Sequence, residues 1–472
     1  MKRKYFKSLM VIGLIALTCV AMAYSGRKTV RNPVSSERKG IVALAGNLSQ
    51  EKVLLGKEGR VSLSLTMTAD DVIDFAGGDE SPVDLVIVLD RSGSMKGLKI
   101  DDAKDAIHRL LSTLSAGDRI ALVSYSNRVT RHSNFMKVTP ANRVYLRSMI
   151  DTISAGGGTN LGGGLKESID LFLGSKTDGR MGKVILISDG LANHGVTNPE
   201  TLGRMASVAV KEEFGISTLG VGRDFNEVLM TAIADRGAGR YYYLEDPGAF
   251  AAVFQKEFQR TRAVAASAVE IRIPLKNGMS LIDAAGYPFE IRNGNACLNP
   301  GNILSGEKRK LFFTFRVPTD REREFSIEGI TVSYRYKGLN YAAALNEPFR
   351  IACVKDRKEV FASIDKNEWE EKVIRDSYNR LRQGVAALIT HGKKEEALES
   401  IKQYADEQSA INSVVGSARV SENLDKDVKE MKKAVQDTFH GVPSEVAQKQ
   451  KERAKALQYK GYLGRREGSV SN

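Results

Sequence analysis

Five oxygen-bearing side chains from three separate stretches carry the clearest chemistry in this sequence. Asp90-Arg91-Ser92-Gly93-Ser94 places a carboxylate and two hydroxyls in one short loop. Thr159 stands in Gly156-Gly157-Gly158-Thr159-Asn160, and Asp189 in Asp189-Gly190. These residue types suit a hard divalent cation, because magnesium takes oxygen ligands in near-octahedral geometry and keeps some of its waters. The three hydroxyls provide neutral donors. Asp90 and Asp189 supply negative charge, either by bonding the ion or through water. So few charged ligands leave the ion electrophilic, and a carboxylate from another molecule can fill the open position. The neighbouring glycines let the backbones come close without side-chain bulk.

The three stretches are far apart in the chain, so the fold must bring them together. Residues 83–89 are an apolar run broken only by Asp84, as expected of a strand buried on both faces of a parallel sheet. Asp90 follows directly. Residues 184–188 read as a second strand, with Asp189 directly after it. Between and beyond them the spacing predicts a helix over 98–114, a strand over 120–125 and an antiparallel edge within 128–138. It then predicts a helix over 161–173, a helix over 199–214, a strand over 216–221, a helix over 225–234, a strand over 240–244 and a helix over 247–259. Strands alternating with helices imply a doubly wound, Rossmann-like α/β sheet covered on both faces. Ligands on such sheets sit at the carboxyl ends of the strands, and all three stretches fall in strand-to-helix loops on that edge.

The pattern Asp-x-Ser-x-Ser, then Thr, then Asp resembles the metal-ion-dependent adhesion site of the von Willebrand factor A family, with no element missing. The likeness extends to Gly220-Val221-Gly222-Arg223-Asp224-Phe225-Asn226 and to Tyr241-Tyr242-Tyr243, which look like the family's bacterial branch. The resemblance implies that Ser92, Ser94 and Thr159 coordinate the ion directly, with Asp90 and Asp189 acting largely through water. It implies Mg2+ as the ion, with Mn2+ or Ca2+ as alternatives, and a protein ligand that offers an exposed acidic residue. Other signals are weak. Gly220-x-Gly222 lacks the third glycine of a dinucleotide loop, because Phe225 stands there. The glycine-rich run 158–163 has no Gly-Lys-Ser/Thr to meet phosphates. Ser305 and Lys308 form an isolated Ser-x-x-Lys in a turn. The histidines are scattered without metalloprotease spacing, though His194 lies close to Asp189 in sequence.

The chain of 472 residues is too long for one core. The reading is multidomain: a signal peptide at 1–23, an N-terminal lead and strand at 24–81, the α/β domain at 82–262, a β-sandwich at 263–357 and a helical region with a basic tail at 358–472. Residues 61–68 alternate with period two, and that strand is assigned to the sandwich, which would make the α/β domain an insertion. Strands at 269–274, 310–317, 330–336 and 341–345, with turn clusters between them, support the sandwich.

The first residues set the compartment. Lys2, Arg3, Lys4 and Lys7 precede an apolar run from Leu9 to Val20, and Ala21-Met22-Ala23 fits a cleavage site. The protein is therefore expected to be exported, to the periplasm or cell envelope; a lipoprotein route through Cys19 has a poor lead-in. Cleavage lowers the net charge from +13 to +9. Cys297 and Cys353 then remain, and in an oxidising compartment they are expected to pair, with two buried free thiols as the alternative. Lys449, Lys451, Arg453, Lys455, Lys460, Arg465 and Arg466 make the tail basic. It reads first as a solvated helix face and second as a weak contact for an anionic membrane surface or an acidic partner. No nucleic-acid module accompanies the charge. The expected function is metal-dependent protein binding or adhesion in the envelope, without enzymatic activity. A non-catalytic recruiting subunit of an envelope enzyme or assembly complex is the alternative.

Overall fold

Apolar residues that run without interruption need cover on both sides, and that is what residues 83–89 receive. A computed structural model describes residues 34–35, 40–73, 82–175 and 180–466, so the expected leader at 1–23 lies outside the described residues. Every residue of the strand Val83–Asp90 is buried. Met181–Ser188 and Arg119–Tyr125 flank it, both parallel to it. Phe214–Val221 and Ala238–Leu244 extend the sheet on one side, also parallel. Val129–Arg131 and Met136–Lys137 close the other side antiparallel to Arg119–Tyr125. Alternate side chains of a strand face opposite sides. Leu85, Ile87 and Leu89 therefore share a core with the helices Leu98–Thr113 and Phe250–Arg262, through residues such as Ile107, Phe254 and Phe258. Val86 and Val88 share another with the helices Leu161–Leu173 and Glu227–Arg236.

Two local features depart from the sequence reading. The helix expected over 199–214 is broken into Pro199–Ala206 and Val208–Lys211, and the next strand starts at Phe214 after Glu213 takes a positive φ. A helix that was not expected, Pro140–Asp151, is capped by Thr139, whose hydroxyl accepts the Asn142 N–H at 3.3 Å. Both ends of the α/β unit are tied to one side chain. The Val83 N–H donates to Asp118 Oδ1 at 2.9 Å, and Arg262 Nη2 donates to Oδ2 at 2.8 Å.

That unit is inserted in a β-rich region. Arg60–Ala69, before it, pairs antiparallel with Lys308–Arg316, after it, from Arg60 opposite Arg316 to Thr68 opposite Lys308. Val42–Leu48 pairs with the free side of Arg60–Ala69. In a second sheet Val264–Pro274 lies between Asn295–Leu298 and Ile330–Tyr336. Arg323–Ile327, Phe349–Val354 and Lys52–Leu54 make a third. Leu63, Phe313, Ile271, Val332 and Ile351, drawn from all three, belong to one apolar core. The disulfide expected between Cys297 and Cys353 is not formed; both are buried free thiols. Cys297 is held in the second sheet opposite Arg272, and Cys353 in the third opposite Arg323. The two thiols therefore lie in different ladders of the β-rich region.

From Arg357–Ala362 onward the chain is helical. Lys366–Lys372 passes through a wide turn, Val373–Ser377, into Tyr378–Thr390. Lys394–Val415 and Lys429–Thr438 pack with them around Trp369, Val385, Ile389, Ile401 and Val435. The last helix, Pro443–Arg466, lies close against Tyr378–Thr390, since a Cβ at Gly464 would meet the Asn379 amide at 2.3 Å. Of its basic residues, Lys449, Lys451, Arg453 and Lys460 are exposed, as a solvated face requires, and three are not. Lys455, Arg465 and Arg466 are buried. Arg466 donates to Asp235 Oδ2 at 2.5 Å and to the Ala285 carbonyl at 2.6 Å, and Arg465 donates to Asp376 at 2.9 Å and also to Asp283. Buried charges are tolerated where they are paired, and here the partners come from other parts of the chain. Among the described residues no helix is long and apolar enough to cross a membrane.

Candidate metal centre

Asp90 ends the central strand with no exposed surface, and both of its oxygens are used. Oδ1 accepts the Ser92 N–H at 2.8 Å, which folds the loop back on the strand end, and Oδ2 accepts the Ser188 hydroxyl at 2.9 Å. The Gly93 N–H donates to the Gly157 carbonyl at 2.9 Å and the Gly156 N–H to the Arg91 carbonyl at 2.7 Å, so the first loop and the glycine-rich loop are joined directly. Thr159 is fixed by its backbone: its N–H donates to Asn193 Oδ1 at 2.8 Å, and its carbonyl accepts from Asn193 and His194. Asn160, next in the chain, caps the helix Leu161–Leu173 by accepting the Gly163 N–H at 3.0 Å.

The functional oxygens then meet. Ser92 Oγ lies 3.0 Å from Ser94 Oγ, and Ser94 Oγ donates to Asp189 Oδ1 at 2.7 Å. A Cβ placed on Gly190 would sit 3.3 Å from Ser94 Oγ and 3.7 Å from Thr159 Oγ1, so those hydroxyls share one small space that glycine keeps open. All five residues singled out in the sequence come together at the carboxyl edge of the sheet. Burial pushes the Asp90 carboxyl up to about 6, against the hydrogen bonds from Ser92 and Ser188, and the nearby Asp189 adds to the rise. This concentration of acceptors fits a divalent cation, and the site already attracts positive charge. Lys99 Nζ donates to Asp189 Oδ2 at 2.5 Å, the carboxylate side chain being fully buried and the lysine partly exposed. Among the described residues no group of three or more His, Cys, Asp or Glu side chains offers a competing metal site.

Sequence reasoning missed two contributors. Lys99 is one; it sits in the first turn of Leu98–Thr113, and the only signal was a basic residue closely following the Ser-x-Ser loop. The last helix is the other. The donors open into a cleft of about 620 Å³, lined by Ser94, Thr159 and Asp189 and also by Gln450, Lys451 and Lys455. That helix is pinned to the loop after Phe214–Val221. Lys451 pairs with Asp224 at 2.7 Å and Arg223 with Glu452 at 2.6 Å. Lys455 pairs with Glu227 at 2.7 Å, donates to the Phe225 carbonyl at 2.8 Å and lies 4.0 Å from the Phe225 ring centroid. The i, i+4 spacing of Lys451 and Lys455 was visible in the sequence, but their acidic partners lie more than two hundred residues away. His194 packs against the glycine-rich loop, where a Cβ on Gly158 would meet its ring at 2.5 Å.

A family model described as the von Willebrand factor type A domain matches residues 84–256. An uncharacterized protein of Synechocystis is 31% identical over 179 residues, covering 38% of this chain and 41% of that protein. The uncharacterized protein YfbK of Escherichia coli is 27% identical over 221 residues, covering 46% of this chain and 37% of that protein. Inter-alpha-trypsin inhibitor heavy chain H4 of Homo sapiens is 27% identical over 199 residues, covering 41% of this chain and 21% of that protein. This chain thus spans less than half the length of these relatives. Among solved structures, a von Willebrand factor type A protein from Catenulispora acidiphila aligns over 90% of this chain and 98% of its own, with a TM-score of 0.64 at 17% identity. The ArnB paralog VWA2 from Sulfolobus acidocaldarius aligns over 89% and 98%, with a TM-score of 0.54 at 20% identity. At those identities the likeness is one of fold, and it extends beyond the α/β unit to the β-rich and helical parts.

Proposed function

With residues 84–256 forming a von Willebrand factor type A domain, we propose that this chain binds a divalent cation and uses it to hold an acidic side chain of a partner protein in the cell envelope. Ser92, Ser94 and Thr159 would bond the ion, with Asp90 and Asp189 supplying charge through water. Mg2+ is the proposed ion, with Mn2+ and Ca2+ as alternatives. When bound, it supplies Lewis acidity toward an incoming carboxylate. The observation that carries the reading is the continuous run of contacts from Asp90 through Ser92 and Ser94 to Asp189, with the Thr159 hydroxyl beside it. The chain's own residues position the donors: Ser188 and the Ser92 backbone hold Asp90, and Asn193 holds Thr159. The last helix narrows the approach, so the partner's carboxylate must enter a cleft rather than meet a flat face.

The role is that of a binding module in an exported protein, and the basic start and apolar run of residues 1–23 support export. A weak contact of the tail with an anionic membrane surface would fall to Lys449, Lys451, Arg453 and Lys460, which are exposed, since Lys455, Arg465 and Arg466 are committed inside the molecule. Affinity capture from envelope extracts, with Mg2+ and with chelator, tests the proposal. A partner retained only with Mg2+, and lost to Asp90→Ala or Thr159→Ala, is the expected result. Neutralising the partner's acidic residues one at a time should then find one that is indispensable. Partner binding that survives chelation but collapses with salt, as binding to surface charge does, would overturn it.

A further inference from the structure

Every charged side chain that lines the cleft above the metal centre already has an opposite charge. Lys99 is paired with Asp189 at 2.5 Å, Lys451 with Asp224 at 2.7 Å, Lys455 with Glu227 at 2.7 Å and Arg223 with Glu452 at 2.6 Å. The lining is therefore electrically satisfied as it stands. A dication held by the hydroxyls would be matched by the two carboxylates of the site, Asp90 and Asp189. Lys99 is then left over, close to a charge of its own sign in a cleft where screening is reduced.

Where Lys99 can go is set by what stands beside it. A Cβ on Gly222 would lie 3.6 Å from Lys99 Nζ, so the ammonium runs alongside a residue with no side chain, two positions before Asp224. Its charge already reaches that carboxyl. The hydrogen bond from Lys451 holds Asp224 below its usual range against partial burial, and the charges of Lys451, Lys99 and Lys455 add to the fall. Glu227 is not available in the same way. Lys455 holds it from a buried position, where an ammonium deprived of its carboxylate would be costly. Asp224 and Lys451 are both exposed, so a change of partner there costs little.

We propose that Lys99 passes from Asp189 to Asp224 when the metal centre is filled, that Lys451 is thereby released toward the cleft, and that the captured partner segment carries a second acidic residue for it. Asp224 then serves two ammonium groups with one charge, and the surplus falls on the more exposed of them. The metal donors belong to the edge of the sheet and Lys451 to the last helix, so one diacidic segment is held by two parts of the chain. This selectivity rests on the metal reading, since only a filled site leaves an ammonium over.

Two measurements on the full chain test it. The first uses Mg2+ alone. Calorimetry on wild type and Asp189→Ala establishes occupancy of the site, and acetylation of amines at limiting reagent, read by mass spectrometry, follows each lysine. Mg2+ should speed the labelling of Lys451 about two- to threefold, the scale of losing one exposed ion pair. Lys460, exposed on the same helix, is the internal reference. In Lys99→Met, with no ammonium to move onto Asp224, Mg2+ should leave the labelling of Lys451 where it was. The second measurement titrates glycine peptides, blocked at both ends, that carry one glutamate or two at increasing spacing, with Mg2+ saturating. A second carboxylate doubles the chance of reaching the metal. The best-spaced diacidic peptide should exceed that doubling by about two- to fivefold, and in Lys451→Gln only the doubling should remain. Site occupancy with unchanged labelling of Lys451 would overturn the transfer and leave the metal reading standing. Diacidic peptides that gain no more than the doubling, while monoacidic ones bind, would remove the second contact. Absence of Mg2+ binding, or of any Mg2+-dependent peptide binding, would sink the metal reading and this selectivity with it.

Discussion

Asp90, at the carboxyl edge of the parallel sheet, and Glu257, on the helix behind its amino edge, are both buried carboxylates with every oxygen hydrogen-bonded. Yet Asp90 is pushed up to about 6, while Glu257 is held down at about 2. Burial acts upward on both and is the largest influence on each. The neighbours decide the outcome. Asp90 meets hydroxyls, a backbone N–H and a second carboxylate, whereas Glu257 meets the Lys183 ammonium together with Ser217 and Tyr242. The comparison separates a buried charge that has been compensated from one that awaits compensation. The two edges differ in the company each buried carboxylate keeps: a second carboxylate, Asp189, at the one and the Lys183 ammonium at the other.

The largest effect should come from breaking the compensated edge. Glu257→Gln leaves Lys183 buried without its carboxylate and should destabilise the fold by about 3–5 kcal/mol, read by urea unfolding at neutral pH. Because Glu257 in the folded chain lies below its ordinary value of 4.5, its stabilisation is complete above that pH and fades as pH falls toward 2. Wild type should lose stability across that window, and Glu257→Gln should lose less. Next comes the uncompensated edge. Magnesium at a hundred times its dissociation constant should stabilise wild type by about 2.7 kcal/mol and should give Asp189→Ala almost nothing; equal thermal shifts would move the metal elsewhere. Lys99→Met sharpens the comparison by removing the ammonium that compensates Asp189. Metal affinity should rise about tenfold, and the metal-free protein should lose about 1–2 kcal/mol. A fall in affinity would mean that Lys99 assists the metal rather than competing with it. The smallest effect belongs to Lys451→Gln. Its pair with Asp224 has side chains 59% and 66% exposed, so unfolding should change by no more than about 0.5 kcal/mol.

The carboxyl-edge site was legible because its residues announce themselves locally. Asp90 and Asp189 each end an apolar strand, and glycine clusters mark the loops that must approach closely. What escaped depends on distance. Neither Lys99 on Asp189 nor Lys455 on Glu227 follows from any local period, and the buried pairs of Arg465 and Arg466 turn on Asp376, Asp283 and Asp235, scattered over three regions. A run of basic residues looks solvated until its partners are located. The helix Pro140–Asp151 was readable in principle from Thr139-Pro140, a capping residue followed by a proline in the first turn, but its exposed face dilutes the apolar spacing. The cysteines show the reverse error. Compartment and even number favoured a bond, and the two thiols are buried and free. The β-rich region was legible as strands with turns, while Ser280–Ala284 and Phe289–Arg292 were too short to stand out.

Asp118, which holds the first strand of the α/β unit and the last residue of its final helix, bears on the order of assembly. The ladder between Arg60–Ala69 and Lys308–Arg316 joins residues 240 to 256 positions apart, and closing so long a loop in a disordered chain is slow, since the search must come before any reward. The inserted unit removes most of that search if it folds first, because its two ends then emerge side by side. During synthesis it is complete before the later strand has left the ribosome, and domains generally fold as units in that order. The outer strands would then meet across a preformed bridge, and damage to the nested unit would show itself first as a failure of the surrounding β-rich region to close.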